Sequence, residues 1–339
     1  MSITNMILTV LAFALILLVH EFGHFIFSKA LGFKVEEFAL GFGRKLCSFR
    51  KGETEYSLRL IPLGGYNKLP DIDCQNVHMT LSLYWKRFLV LAAGGVFNIV
   101  FAVLSIWLMV FAIGIPTSTS EIESIEPNSP AIMLASTPLQ EGDKIISING
   151  VQTDGDFDKL SAHTKGANLE LEVERGGEIL PMISVQKGEG ELLGIHPKQD
   201  VRDVTFEQSF LATQAICDHL IHMTVDGFKS IIDAGGTKLA TSVSGPIGVT
   251  AGIYQAKEVA GWHGFILLVA LISANIGIMN LLPIPLLDGG RILTDTLQLV
   301  TRNALGERLI SCTEYVGIVF IFLLFSWGLV GDIYRLLPR

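Results

Sequence analysis

A run of helix length without one charged side chain, ending in a cluster of ionisable groups, constrains this chain most. Residues 3–19 (ITNMILTVLAFALILLV) are uncharged, and His20-Glu21-Phe22-Gly23-His24 follows at once. A helix through that run rises roughly 25 Å, most of a bilayer core of about 30 Å. Ionisable groups at such depth are costly and mark function. On a helix His20 and His24 stand one turn apart on one face, so two imidazoles can bind one zinc ion. Glu21 is then placed to take a proton from a water at that ion. The pattern implies a metalloprotease working within a membrane, although His-Glu-x-x-His also recurs by chance in soluble helices.

Half of the 339 residues are hydrophobic and 17% are charged, which excludes an ordinary soluble domain. Four uncharged stretches can span a bilayer: Ile3 to Val19 running into the His motif, Phe88 to Ile115, Gly261 to Leu287, and Tyr315 to Gly331. A cleaved signal peptide fits the first poorly, because no Lys or Arg precedes it and no small-residue cleavage pattern follows. Residues 29–87 hold 10 basic and 6 acidic side chains, whereas residues 116–260 hold 21 acidic and 10 basic. Basic loops stay cytoplasmic. The first loop is therefore expected inside and the acidic segment outside, with both termini outside; Arg335 and Arg339 argue mildly against the latter. Nucleic-acid binding has no support. Cys47, Cys74, Cys217 and Cys312 lack paired metal spacing and imply no disulfide framework, which leaves buried or inert thiols.

Within the basic loop, Lys45 to Arg50 and Glu55 to Ile61 flank Lys51-Gly52, and Tyr56, Leu58 and Leu60 alternate with polar residues. That period of two predicts a β-hairpin over about residues 34–66, with an edge free for an extended peptide or else a plain connector. From Glu121 to about Gln186, short alternating segments bounded by Gly, Pro and Asn predict one small β domain. Phe206 to Ile232 predicts an amphipathic helix. The third apolar stretch ends in Asn280-Leu281-Leu282-Pro283-Ile284-Pro285-Leu286-Leu287-Asp288-Gly289-Gly290, where two prolines break the helix beside a carboxylate. Broken backbone at membrane depth is tolerated only inside protein or against water.

Catalytic zinc takes three protein ligands and keeps one position open. His20 and His24 supply two. Asp288 is the expected third, since Arg291 is its only basic neighbour and both ligand stretches end on the cytoplasmic side. An ion transporter fits poorly, because Glu21 and Asp288 alone read as buried carboxylates and no inverted repeat is visible. His78, His163, His196 and His263 read as scattered surface residues, and His219 with His222 as a helix-face pair without a third ligand.

These residues resemble the site-2 protease family (peptidase M50) of intramembrane zinc proteases, most closely the bacterial regulator-of-sigma-E protease group. The resemblance rests on His20 to His24, Gly41-Phe42-Gly43, Pro62 to Tyr66, a PDZ-like segment at 121–186, Ser244 to Gly248, and Asn280 to Gly290. It implies an α-helical membrane protein with four transmembrane helices, a membrane-associated β-hairpin on the cytoplasmic side, and one extracytoplasmic PDZ-like β domain. The corresponding regions are 1–115, 116–190 for the PDZ-like domain, 191–260 for an amphipathic linker, and 261–339. It also implies one Zn2+ per chain on His20, His24 and Asp288, with Glu21 as the base. Asn280, Asn98, Pro283 and Pro285 are the implied substrate-binding residues; Gly95 stands where the family commonly has proline. The implied setting is the bacterial inner membrane, with the active site near the cytoplasmic side. The implied partners are the bilayer, single-span membrane proteins such as anti-sigma factors or remnant signal peptides, and a peptide C-terminus at the PDZ-like domain. The alternative from another class is a non-proteolytic scaffold whose PDZ-like domain recruits partners.

Overall fold

The computed structural model describes residues 3–74, 78–153, 168–186, 188, 193–233, 246–303, 315–319, 322–323 and 326–332. The chain divides into two compact units, Met1–Met109 with Phe210–Arg339, and Val110–Ser209. Toward the N-terminus lie α1 (Ile3–Ala30), β1 (Glu37–Lys51), β2 (Thr54–Lys68), the single turn α2 (Pro70–Asp73) and α3 (Leu81–Ile113). The second unit carries β3 (Ile115–Ile125), α4 (Pro130–Met133), β4 (Lys144–Ile148), β5 (Val151–Gln152), β6 (Asn168–Arg175), β7 (Glu178–Ile179), β8 (Ile183–Gln186) and β9 (Ile195–Arg202). Then come α5 (Phe206–Asp233), α6 (Pro246–Leu281) and α7 (Asp288–Val300).

Three helical stretches, Ile7–Ala30, Leu81–Ile113 and Gly248–Leu281, are long and apolar enough to cross a membrane. Ile7, Leu11 and Leu15 on α1 and Val96, Val100 and Leu104 on α3 are exposed, as lipid-facing positions should be. Between helices the residues are small. A Cβ on Gly23 would come within 2.6 Å of the Ala93 carbonyl, and one on Gly95 within 2.7 Å of the Gly277 carbonyl. Without a hydrophobic force between helices in lipid, such close backbone contact supplies the packing. Gly95, where the family commonly has proline, is the residue at which α3 passes α6.

The third stretch is not one rod. Ala260 and Gly261 leave helical geometry, Gly261 with φ 58°. A side chain on Gly264 would collide with the Ala256 carbonyl, and one on Gly252 would reach Leu268 at 3.8 Å. Contacts symmetric about residue 260 mean that residues 246–259 fold back along residues 262–281. The second arm alone is about 30 Å long, enough for a bilayer core. The expected fourth span, Tyr315 to Gly331, lies partly outside the described residues; the described ones are helical.

β1 and β2 are joined through Gly52 (φ 63°) and pair antiparallel from Lys51↔Thr54 back to Glu37↔Lys68. Residues 37–40 also pair with residues 55–58, both numbers rising. The expected simple hairpin is therefore folded over on itself, at corners where Gly41, Gly43 and Gly64 take positive φ that other residues rarely adopt. Glu37 lies at the centre of the fold-over. Burial pushes its carboxyl up, but hydrogen bonds from Ser57, Arg59 and Tyr66, with Lys45 nearby, outweigh it and hold the group down at about 2.

In the second unit the strands run β7-β6-β4-β3-β9, with β5 on β4 and β8 on β6. Alternation builds its core: Leu169, Leu171 and Val173 of β6 point inward against Ile122, Ile145, Ile148, Ile183 and Val185. Each such burial is worth about 1.5–3 kcal/mol. Asn149 and Gly150, both at positive φ, make the two-residue turn between β4 and β5. β9 pairs with β3, so the sheet extends beyond residue 190, where the sequence suggested a linker.

Candidate active site

His20, Glu21 and His24 lie in the second half of α1. The two Nε2 atoms are 3.3 Å apart, and they stand 3.3 and 3.2 Å from Oδ2 of Asp288. Among the described residues this is the one group of His, Cys, Asp and Glu side chains placed to share a metal ion. His24 Nδ1 donates to the Val90 carbonyl at 2.8 Å, which leaves Nε2 as the atom that faces Asp288. Asp288 Oδ2 and His20 Nδ1 are buried and have no hydrogen-bond partner among the described residues. Donor atoms around a tetrahedral ion with bonds of 2.0–2.1 Å stand roughly 3.3 Å apart. The triangle has the size of one face of a zinc site.

Neighbouring backbone makes that convergence possible. A side chain on Gly94 would run into both imidazoles, so α3 can pass the ligands only with glycine there. Asp288 begins α7, where the helix N-terminus favours a carboxylate. Gly289 and Gly290 lie against the carbonyls of Leu281, Leu282 and Ile284, which folds α7 back onto the end of α6. Leu286, between them, takes φ 80°, a strained value of the kind that persists at functional sites. Farther along α7, Asp295 forms a buried two-pronged pair with Arg87 of α3, at 2.8 and 3.2 Å. Asp295 therefore adds a buried carboxylate that the sequence reading left out, paired with a cation that reading had assigned to the loop.

Glu21 is held as well. Asn67 of β2 donates from Nδ2 to Glu21 Oε2 at 2.8 Å and to the Glu21 carbonyl at 2.6 Å. His20, His24, Asp288, Glu21, Tyr66, Asn67, Asn280 and Arg291 all line one polar cavity of about 280 Å³. Arg291 turns to Asp73 at 3.1 Å, so among the described residues Asp288 meets the two imidazoles rather than an arginine or lysine. Of the expected substrate-binding residues, Asn280 reaches the cavity while its amide donates to the Ile276 carbonyl at 3.0 Å. Asn98 is fully buried beside Gly277 at the α3–α6 contact, neither amide atom is partnered among the described residues, and it does not line this cavity. Pro283 and Pro285 shape the α6–α7 turn rather than the cavity wall, and Pro285 abuts Gly317.

Gly94, Asn67 and the Arg87–Asp295 pair escaped the sequence reading. A glycine pair inside a membrane helix signalled close approach; nothing in the sequence marked Asn67. Of the two thiol readings, burial does not hold for Cys47 and Cys74, which are exposed; Cys217 is half-buried, and Cys312 lies outside the described residues.

The fold and site describe a membrane protein with a β unit and a buried trio of metal-ligand type. The model of peptidase family M50 matches residues 8–324. Similar chains include a candidate zinc metalloprotease of Clostridium perfringens, 32% identical over 96% of this chain and 98% of its own length. Another, from Helicobacter pylori, is 31% identical over 98% and 99%. One from Clostridium acetobutylicum is 30% identical over 98% of both. The chain belongs to peptidase family M50, the site-2 protease family, and is a metallopeptidase with zinc as its cofactor.

Proposed function

We propose that this peptidase hydrolyses bonds in or beside the transmembrane segments of single-span membrane proteins, with His20, His24 and Asp288 as ligands of one zinc and Glu21 as general base. The observation that carries the reading is the 3.2–3.3 Å triangle of His20 Nε2, His24 Nε2 and Asp288 Oδ2, anchored on the apolar helix α1 with a second carboxylate, Glu21, beside it. Bound there, zinc would lower the pKa of a water to about 7 and polarise the scissile carbonyl. Glu21 takes the proton of the attacking water and returns it to the leaving amine nitrogen. Asn280 orients the substrate backbone from the cavity wall. Asn98, Pro283 and Pro285 act behind it, the amide as an unspent donor and acceptor and the prolines by keeping the α6–α7 turn open. Helix-breaking residues in a substrate speed cleavage, because helical peptide bonds are shielded by their own hydrogen bonds.

The basic loop and its folded ribbon, with Phe42, Leu46, Phe49 and Leu60 exposed, lie on the cytoplasmic side of the inner membrane against lipid. The β unit is PDZ-like, lies outside, and filters substrates or takes a newly exposed C-terminus. Substrates of this kind include anti-sigma factors and remnant signal peptides. The test is cleavage of a single-span substrate by zinc-loaded protein in detergent. Glu21→Gln should lower kcat by about 10²–10⁴-fold with zinc retained; cleavage at the parent rate would remove Glu21 from the role and favour a scaffold.

A further inference from the structure

We infer that Asn67 is a positioning residue for Glu21: its amide pins the carboxylate through Oε2 and leaves Oε1 as the oxygen to receive the proton. The inference rests on the hydrolytic reading above and deepens it. Both groups that face Asn67 Nδ2, the Glu21 carbonyl and carboxylate, can only accept. The amide orientation is therefore unambiguous.

The same orientation leaves Asn67 Oδ1 buried and without a partner among the described residues. An apolar side chain would fill that place on β2 without stranding an acceptor. A cost of this kind is retained where the donor end has a task. Glycine brings the strand close enough: a Cβ on Gly65 would come within 3.3 Å of Glu21 Cγ and 2.8 Å of the Ala39 carbonyl. The preceding residue is anchored too, since the Tyr66 hydroxyl donates to Glu37 at 2.9 Å and accepts from Arg59 at 2.6 Å. A glutamate on a helix has several rotamers; the clamp selects one and ties it to the ribbon. Displacing β2 would release the base.

The experiment compares Asn67→Leu, Asn67→Asp and Asn67→Gln, each as the full chain loaded with zinc. Loss of orientation should lower kcat by about 10²-fold in Asn67→Leu, with KM within about twofold of the parent and zinc stoichiometry unchanged. Asn67→Asp should lose more, because two carboxylates then face each other, and Asn67→Gln should recover part of the loss. Thermal unfolding of metal-free protein adds a readout independent of turnover. Asn67→Leu should lower Tm more in the parent than in a Glu21→Ala background, where only the bond to the residue-21 carbonyl is left to lose. An unchanged kcat in Asn67→Leu, a loss traced wholly to KM or zinc, or equal Tm shifts in both backgrounds would overturn the inference. If the parent does not cleave, or Glu21→Gln cleaves equally well, the hydrolytic reading falls instead, and the melting comparison alone decides whether the clamp exists.

Discussion

The two units treat buried polar groups in opposite ways. In the β unit, buried Asp143 takes two bonds from Arg175, at 2.6 and 2.7 Å, and a third from the Gln140 amide at 2.8 Å. Thr153 donates to the Ile145 carbonyl, and Ser147 to Glu172. Of the described side chains there, only the Ser129 hydroxyl is buried without a partner. In the membrane unit, the unpartnered atoms include His20 Nδ1, Asp288 Oδ2, Asn67 Oδ1 and both ends of the Asn98 amide. Native interiors satisfy nearly all buried polar groups, so a concentration of exceptions calls for an explanation. One unit uses its polar groups to close a fold; the other, beside buried pairs such as Arg87–Asp295, keeps several open, which the proposed function assigns to an ion and a peptide.

That contrast can be broken by substitution. Asp143→Ala should cost the β unit about 3 kcal/mol, the lower end for breaking a buried pair because Arg175 is partly exposed. Chemical denaturation would read that loss, and zinc stoichiometry should stay at one per chain; a fall in zinc would mean that the two uses are not separable. Gly94→Ala should do the reverse. By displacing the imidazoles it should weaken zinc about 10–100-fold, measured by chelator competition, while the β unit melts as before. The smallest effect is that of acid on the ribbon. Glu37 is held below its ordinary 4.5, at about 2. Its contribution is therefore intact above pH 4.5 and is lost as pH falls toward 2. Amide exchange in β1 and β2 should accelerate across that window, and Glu37→Gln should weaken the dependence, with Glu36 and Glu55, also held down by lysines, supplying the rest.

The core of the site was legible because its spacing is local. His20 and His24 are one helical turn apart, and the two prolines before Asp288 announce broken backbone. What stayed hidden depends on pairing between distant strands or on exposure. Asn67 reaches Glu21 because glycines at 41, 43 and 64 fold the ribbon over, and no periodicity encodes that corner. β9 reads IHPKQDVR, and five of its last six residues are exposed with no inward apolar face, so alternation had nothing to report. Arg87 and Asp295 each look like ordinary surface charges until α7 folds back along α3. The turn at Gly261 was half visible: the uncharged stretch begins there, but only the fold-back shows why.

The most direct measurement is zinc-edge X-ray absorption on the purified full-length protein. Two imidazole nitrogens and a carboxylate oxygen at about 2.0–2.2 Å, with the carboxylate contribution lost in Asp288→Ala, are the result expected. A sulfur scatterer at about 2.3 Å, or a spectrum untouched by Asp288→Ala, would contradict the convergence of α1 and α7 on one ion.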